Sequence, residues 1–475
     1  MRPDWPALQR TIAGEVVVGG PNPVFNTRFA SPAPLAVVRC ATASDVREAI
    51  GFVRRQGLPL VARSGGHCFA GHSTIARGVV VDVSPLASVS VDLAGGVAGG
   101  LVTVGAGARL GAVYSALDDH GLAIPAGTCP TVGIAGLTLG GGLGILGRRY
   151  GLTSDRLLAA EIVLADGRIL TCDGSQHPDL FWALRGAGAG NFGVVTSLTF
   201  RTVPAPPATT TFHLSWPFAR AAAAIEAWQA WAPAGPDQLY ASLKITAEGD
   251  RAPSVDVYGT FLGDAGDLVP GLVDRVGAGP RWSWSAELSF PETRAFWAQL
   301  PTVDGASFGS DDDSSDDDGG EPADQLHFLS RSEFFRHPLP ADAIATLLDR
   351  FAEPPAPGEA RELDFMPWGG AFGRVAPDAT AFVHRDELFQ LKHTSALRPD
   401  AADVDKEAAH HHVTASWAAV HPWGSNRVFP NFADPDLGDD APAAYHGTNL
   451  DRLRQVKARY DPDHLFHFPQ SIPPS

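Results

Sequence analysis

Ala126-Gly127-Thr128-Cys129-Pro130-Thr131-Val132-Gly133 runs directly into Ile134-Ala135-Gly136-Leu137-Thr138-Leu139-Gly140-Gly141-Gly142-Leu143-Gly144, and this stretch decides how the chain is read. Its glycine density predicts neither a regular helix nor a strand interior. The interleaved Ile134, Leu137, Leu139 and Leu143 argue against a merely flexible linker. What remains is buried backbone shaped around a ligand, with N–H groups that can approach a phosphate or a ring edge. A second glycine-rich turn lies upstream, Ala62-Arg63-Ser64-Gly65-Gly66-His67. Taken singly, His67 reads as the end of a turn and Cys129 as a small buried apolar residue. Taken together, an imidazole and a thiol in two such turns can bond to two carbons of one flat ring.

The bulk properties set the frame. A chain of 475 residues is too long for one ordinary core and predicts two domains, possibly interleaved. Its net charge of −17 gives nucleic acid and anionic membranes no electrostatic reason to approach, so the expected partner is a small molecule. No apolar run is long enough for a membrane span, and Met1-Arg2-Pro3-Asp4-Trp5-Pro6 lacks the apolar core of a secretory leader. Cys40, Cys68, Cys129 and Cys172 are too few and scattered for a disulfide framework. A cytoplasmic monomer or homodimer is expected.

Outward from the two turns, the first 205 or so residues alternate strands and helices. Leu35 to Cys40 reads as a strand, followed by a helix capped by Ser44 and stopped by Gly57; Leu58 to Arg63 then delivers the chain into the His67 turn. Val79 to Val83 and Leu101 to Val104 read as strands, Leu110 to His120 as a helix, and Glu161 to Thr171 as a hairpin turning at Asp166-Gly167. Composition shifts from Pro204, and an alanine-rich helix begins at Phe218. Strands are expected at Leu239 to Thr246, Val255 to Phe261, Glu362 to Trp368, Thr380 to His384 and Leu388 to His393, with helices near Ala341 to Phe351 and Ala401 to Val420. The predicted class is α+β, with one antiparallel sheet in the second domain.

Several motifs resolve to structure rather than chemistry. Gly188-Ala189-Gly190-Asn191-Phe192-Gly193 matches a dinucleotide fingerprint, but helix precedes it and strand follows, the reverse of what phosphate binding at a helix N-terminus requires. Gly105-Ala106-Gly107 has the right context, yet its third glycine comes one place late, at Gly111, so a tight turn accounts for it. His410-His411-His412 point in three directions on a helix and cannot share one ion, and no metal is expected. The aspartate-rich segment 309–320 reads as a solvated loop. Hydrolase and kinase motifs are absent.

The two turns, Gly71-His72-Ser73, Arg149 to Asp155, Ala165-Asp166-Gly167, Asp179 to Gly186 and Gly190 to Gly193 together resemble the FAD-binding domain of the berberine bridge enzyme-like oxidases, within the vanillyl-alcohol oxidase superfamily. Gly369-Gly370 and Thr380 to Arg385 resemble that family's substrate domain; Tyr445 to Leu450, Tyr460-Asp461-Pro462 and Gln470 to Pro473 resemble its closing segment. The resemblance implies a two-lobed FAD-binding domain (PCMH-type) over residues 1–205, completed by 440–475. A substrate domain over 206–439 would roof the flavin with a large antiparallel sheet backed by helices. It implies FAD attached twice, by His67 at the 8α carbon and by Cys129 at C6. Further cofactor contacts would come from Arg63, Ser64, Gly65, Gly66, Ser73, Val132, Gly133, Gly136, Gly140, Gly141, Gly144, Asp155, Ile162, Tyr445 and Asn449. Val132 falls at the family's oxygen-access position, which implies reoxidation by O₂.

One departure stands out. Many bacterial members carry a tyrosine that takes the substrate's hydroxyl proton; the matching segment here is Val428-Phe429-Pro430-Asn431-Phe432, and a phenyl ring accepts no proton. His384, His393, Asp364 and Tyr240 are the candidate bases, unless the substrate is already acidic, as a phenol or hydroquinone is. Trp368, Phe429 and Asn431 are expected to contact substrate. The leading expectation is an oxidase passing hydride from a bulky natural product to flavin N5 and on to O₂, giving H₂O₂. The competing readings are an oligosaccharide oxidase, a flavin-dependent cyclase or hydroxylase, and a metabolite-binding resistance protein with an inert flavin.

Overall fold

The computed structural model describes residues 3–20, 22, 24–93, 99–249, 252–300, 303 and 326–475; the acidic segment 309–320 lies outside the described residues. A four-stranded sheet comes first, ordered Glu15–Val18, Ala36–Arg39, Val79–Asp82, Leu60–Arg63. The last three strands run parallel. Their connection is the helix Ala43–Gln56, which buries Val46, Ala49, Ile50 and Val53 on the sheet and ends at Gly57 in the left-handed region. Its cap is Thr42, whose hydroxyl accepts from the Asp45 N–H at 3.1 Å, rather than the expected Ser44. The Asp45 carboxylate, itself buried, accepts from the backbone of Ala13, Gly14 and Ala41, which fastens the N-terminal strand.

A second, antiparallel sheet of five strands comprises Val89–Asp92, Leu101–Gly105, Val194–Arg201, Leu157–Val163 and Ile169–Asp173. The predicted hairpin is its last pair. Both small sheets share one apolar core that also takes in Leu453, Val456, Tyr460, Phe466 and Ile472 from the C-terminal segment.

The third sheet has seven antiparallel strands: Trp282–Leu288, Thr209–Pro217, Ser254–Phe261, Leu239–Glu248, Ala360–Pro367, Phe389–Leu397 and His327–Phe335, in that order. Strand periodicity gives it two unlike faces. Leu239, Ala241, Leu243 and Ile245 pack with Leu363, Phe365, Phe389 and Leu391 against the helices Ala221–Trp231 and Ala341–Phe351. The intervening Tyr240, Ser242 and Lys244 point the other way, toward the cavity described below.

Three expectations are corrected. Thr380 to His384 is not a strand but buried irregular chain, threaded between Trp182, whose carbonyl accepts from the Ala381 N–H, and the C-terminal helices. Ile134–Leu139 is a short helix despite its glycines, since Gly133 precedes it and Gly140 ends it, leaving only Gly136 inside. The strands Thr209–Pro217, Trp282–Leu288 and His327–Phe335 lie outside the expected set; a threonine run obscures the alternation in the first and the exposed Trp282 that in the second.

Candidate active site

A cavity of about 390 Å³ lies between the two small sheets and the polar face of the seven-stranded sheet. Both glycine turns reach it. Leu60–Arg63 ends at a buried ion pair, Arg63 Nε to Asp82 Oδ2 at 3.0 Å, which fixes where the following turn begins. Ser64 Oγ donates to the Ala106 carbonyl at 2.7 Å. The two turns touch at Gly65 and Gly133. A Cβ built on Gly65 would lie 2.4 Å from the Gly133 nitrogen, and one on Gly133 would lie 2.4 Å from the Gly65 nitrogen. Hydrogen at both positions lets the segments cross, which brings His67 and Cys129 to the wall of one cavity.

Aromatic and hydroxyl contacts orient the His67 and Cys129 side chains. The His67 ring stacks on Phe25 with centroids 5.0 Å apart. Cys129, half-buried, has its Sγ 3.2 Å from Thr131 Oγ1, and the Tyr114 hydroxyl donates to the Gly127 carbonyl. Farther along, Asn431 stitches the glycine run: Gly142 N–H donates to its Oδ1 at 3.0 Å and its Nδ2 donates to the Gly136 carbonyl at 3.1 Å. A Cβ on Gly140 would meet that amide at 2.3 Å. The wall is completed by the 187–191 turn and by Phe466, Phe468 and Gln470 of the tail. His72 packs on Phe468 with centroids 4.8 Å apart, and burial pushes its pKa down to about 4, so it is a neutral ring at physiological pH.

The expected cofactor contacts divide. Arg63, Ser64, Gly65, Gly66, Ser73, Val132, Gly133, Gly136, Gly140, Gly144 and Tyr445 line the cavity. Gly141, Asp155, Ile162 and Asn449 do not. Asp155 is engaged by Arg385 in a two-pronged ion pair at 2.7 and 2.8 Å, Asn449 donates to the carbonyls of Pro377, Thr380 and Ala381, and Ile162 is core. Asp155 and Asn449 thus tie separate segments of the chain together.

The candidate bases divide the same way. Tyr240 and Asp364 line the cavity. His384 and His393 are buried elsewhere, which corrects that expectation: His384 Nε2 donates to the Tyr445 carbonyl at 3.0 Å, and His393 Nδ1 lies 2.9 Å from Ser416 Oγ. Burial pushes the His384 pKa well below the usual range and that of His393 to about 3. Trp368 is likewise behind the wall, packed among Phe334, Phe372, Phe382 and Phe429, whereas Phe429 and Asn431 do reach the cavity. Burial, reinforced by nearby Asp364, pushes the Tyr240 phenol up, away from phenolate formation. Asp364 is therefore the better acceptor of a proton. Its Oδ2 lies 3.4 Å from Lys244 Nζ, and its buried Oδ1 has no hydrogen-bond partner.

Sequence reasoning missed Ser242, Lys244, Met366 and Lys392 on the roof and His446 on the wall. The signal for Lys244 was present, since it falls in alternation with Tyr240 and Ser242 along an otherwise apolar strand.

Comparison with known proteins matches residues 34–173 to a family model described as an FAD binding domain, and residues 428–473 to one described as berberine and berberine like. The chain is 34% identical over 444 residues to the Bacillus subtilis (strain 168) uncharacterized FAD-linked oxidoreductase YvdP, covering 93% of each chain. It is 31% identical over 480 residues to berberine bridge enzyme-like 4 of Arabidopsis thaliana, covering 94% of this chain and 87% of that one. The chain belongs to the berberine bridge enzyme-like FAD-linked oxidoreductases. Among solved structures it superposes on the Physcomitrella patens BBE-like 1 with a TM-score of 0.84 at 26% identity, covering 99% of each chain. The xylooligosaccharide oxidase from Myceliophthora thermophila C1, solved in complex with xylobiose, gives 0.84 at 26% identity over 100% of each chain. The site suits the family's cofactor. Glycines whose Cβ would collide with neighbouring backbone leave main-chain N–H groups as the cradle, and the walls between are apolar, as a flat ring requires. No described helix is long and apolar enough to cross a membrane.

Proposed function

We propose that this FAD-linked oxidoreductase carries its flavin on two covalent bonds, from His67 and Cys129, and oxidises a bulky natural product with O₂ as the terminal acceptor. The observation that carries the reading is the Gly65–Gly133 crossing, which sets an imidazole and a thiol on the wall of one cavity. Bound FAD supplies a two-electron acceptor that O₂ regenerates with release of H₂O₂.

The chain's own residues do the rest. Gly65, Gly66, Gly133, Gly136 and Gly140 hold the cofactor by backbone, and His67 and Cys129 tether it where packing alone leaves the cleft open. Val132, on the same wall, borders the path by which O₂ arrives. Asp364 Oδ1 accepts a proton from a substrate hydroxyl, while Lys244, 3.4 Å from Oδ2, orients the carboxylate. Phe429 and Phe432 exclude water and add no acid or base.

Denaturing gel electrophoresis with in-gel fluorescence tests the attachment, with peptide mapping to locate it. Fluorescence should stay with the protein, persist in His67→Ala and in Cys129→Ala, and vanish in the double variant. Flavin that washes out of the wild-type chain on denaturation overturns the reading. Stoichiometric H₂O₂ during turnover tests the oxidase assignment, and product formation without it points to a cyclase or hydroxylase instead.

A further inference from the structure

The glycine run leads out of the cavity to an arginine-rich surface. The helix Gly147–Tyr150 carries Arg149 and Tyr150, and the turn Thr153–Arg156 brings Arg156 back to the same ring. The guanidinium carbon of Arg156 lies 5.5 Å from the Tyr150 centroid, and that of Arg149 lies 5.8 Å from it. A third arginine arrives from farther along the chain. Strand Val194–Arg201 pairs with Leu157–Val163, and beyond the last pair, Phe200 with Leu157, the next residues along the ladder are Arg201 and Arg156. Like charges side by side on neighbouring strands repel and cost stability. The effect reaches Arg156, whose pKa is lowered by burial and then by the Arg201 charge.

No carboxylate relieves this repulsion. Among the described residues, none of the three guanidinium groups forms an ion pair or a hydrogen bond, and the Nε of Arg156 is buried without a partner. Asp155, next to Arg156 in the chain, is already engaged: Arg385 holds its two oxygens at 2.7 and 2.8 Å, and the Leu152 N–H donates to it at 2.9 Å. Other arginines in the molecule are treated differently. The buried Arg63, Arg331 and Arg361 each meet a carboxylate, Asp82, Asp434 and Glu359, at 3.0, 2.9 and 2.8 Å. Three unpaired arginines around one ring are out of keeping with a chain of net charge −17. A buried donor without an acceptor and a set of repelling cations are both relieved by an anion placed among them.

We propose that Arg149, Arg156 and Arg201, grouped about Tyr150, form a binding site for a tetrahedral oxyanion, a phosphate group taken up free or as an ester. Guanidinium forks present paired N–H groups that match its oxygens, and the face of Tyr150 supports two of them. None of these four residues lines the flavin cavity, so the site is separate from it. Tyr150 packs against the apolar cluster containing Tyr240, Trp297 and Leu300, which do line the cavity, so the anion binds on the outer side of that wall.

The test is isothermal titration calorimetry of the holoenzyme with sodium phosphate, phenyl phosphate and acetate, at one ionic strength set with sodium chloride. Wild type should bind phosphate or phenyl phosphate with a Kd of about 1 mM or below, and acetate at least about tenfold more weakly. Arg156→Met and Arg201→Met should each weaken that binding at least about tenfold, with the flavin-to-protein ratio unchanged. Arg156→Lys should recover only part of it, because an ammonium lacks the fork. The tighter of phosphate and phenyl phosphate identifies the free ion or the ester as the form taken. Phosphate should also raise the melting temperature of wild type and leave that of Arg156→Met unchanged. Absence of phosphate and phenyl phosphate binding in wild type, undiminished affinity in Arg156→Met and Arg201→Met, or an equal rise in melting temperature in wild type and Arg156→Met overturns the proposal. Acetate bound as tightly as phosphate also overturns it, by pointing to unspecific screening of surface charge.

Discussion

Gly65 and Gly133 cross so closely that each occupies the space the other's side chain would need, the Cβ-to-nitrogen distance being 2.4 Å in both directions. This contact, between the turn after Leu60–Arg63 and the start of the glycine run, brings His67 and Cys129 to the wall of one cavity. Gly133→Ala should therefore part the turns. Overpacking of this kind destabilises by about 1–3 kcal/mol, and here the strain falls on the turns that carry His67 and Cys129. The flavin-to-protein ratio, read from absorbance after acid precipitation, should drop in Gly133→Ala and stay at the wild-type value in Gly174→Ala, an exposed glycine with nothing within 4 Å of its Cβ position.

Asp364 is the candidate base that the fold delivers to the cavity with an acceptor oxygen lacking a partner. Asp364→Asn keeps the shape and removes the proton acceptor. Its kcat should fall by about 10²–10⁴-fold with flavin content unchanged. Tyr240→Phe, which removes a phenol held in its neutral form, should change kcat by less than about tenfold. Rapid-mixing reduction of the flavin under anaerobic conditions separates the two, and the opposite ranking transfers the role to Tyr240.

Much of this site was legible in the sequence because it is built from backbone. Glycines at 65, 133 and 140 mark close approach, and His67 and Cys129, in the turns beside them, share one cavity. The roof was less legible, because its chemistry depends on register between strands far apart in the chain. Lys244, Asp364 and Lys392 form a row only once Lys244 pairs with Asp364 and Asp364 with Lys392. His384 and His393 misled for the complementary reason: a polar residue in an apolar segment suggests a site, and here each is buried away from the cavity, one ring nitrogen bonded to a carbonyl or a hydroxyl and the other without a hydrogen-bond partner. Thr380 to His384 looked like a strand because burial on all sides produces the same apolar run without any pairing.

His384, His393 and His446 bear on pH stability. All three are buried; His393 and His446 are pushed to about 3 and His384 well below the ordinary value, in each case chiefly by burial. In the unfolded chain each titrates near 6.5, so below that pH the unfolded state binds protons the folded state does not. Their contribution is fully present above the unfolded value and is lost as pH falls through 6 toward the depressed folded values. Each histidine should remove about 1.4 kcal/mol per pH unit below 6.5. Denaturant unfolding at pH 7.5, 6.5 and 5.5 should show steeply falling stability. In His393→Gln the pH dependence should lessen by about one proton, whereas an unchanged slope would show that His393 is protonated in the folded protein.

Lys457 ties the tail to the flavin lobe. Its ammonium, fully buried, donates to the carbonyls of Asn191 and Phe466 and pairs with Asp461 Oδ2 at 2.7 Å, while Asp461 accepts from the backbone of Leu465 and Phe466. Asn191 returns the contact by accepting from the Ile472 N–H at 2.9 Å. The 187–191 turn and the tail both line the cavity, so one buried cation holds two of its walls together. Burial lowers the Lys457 pKa, but Asp461 opposes that and keeps the ammonium charged. Lys457→Met leaves Asp461 as a buried charge without its partner, and the expected loss is about 3–5 kcal/mol. Lys457→Met with Asp461→Asn should recover part of that loss, because the stranded charge is gone. Denaturant midpoints give the stabilities, and flavin retention in the His67→Ala Cys129→Ala background reports the walls directly. With no covalent tether, Lys457→Met should release flavin on gel filtration; retention equal to that of the tetherless parent would show that the tail holds its place without the lysine.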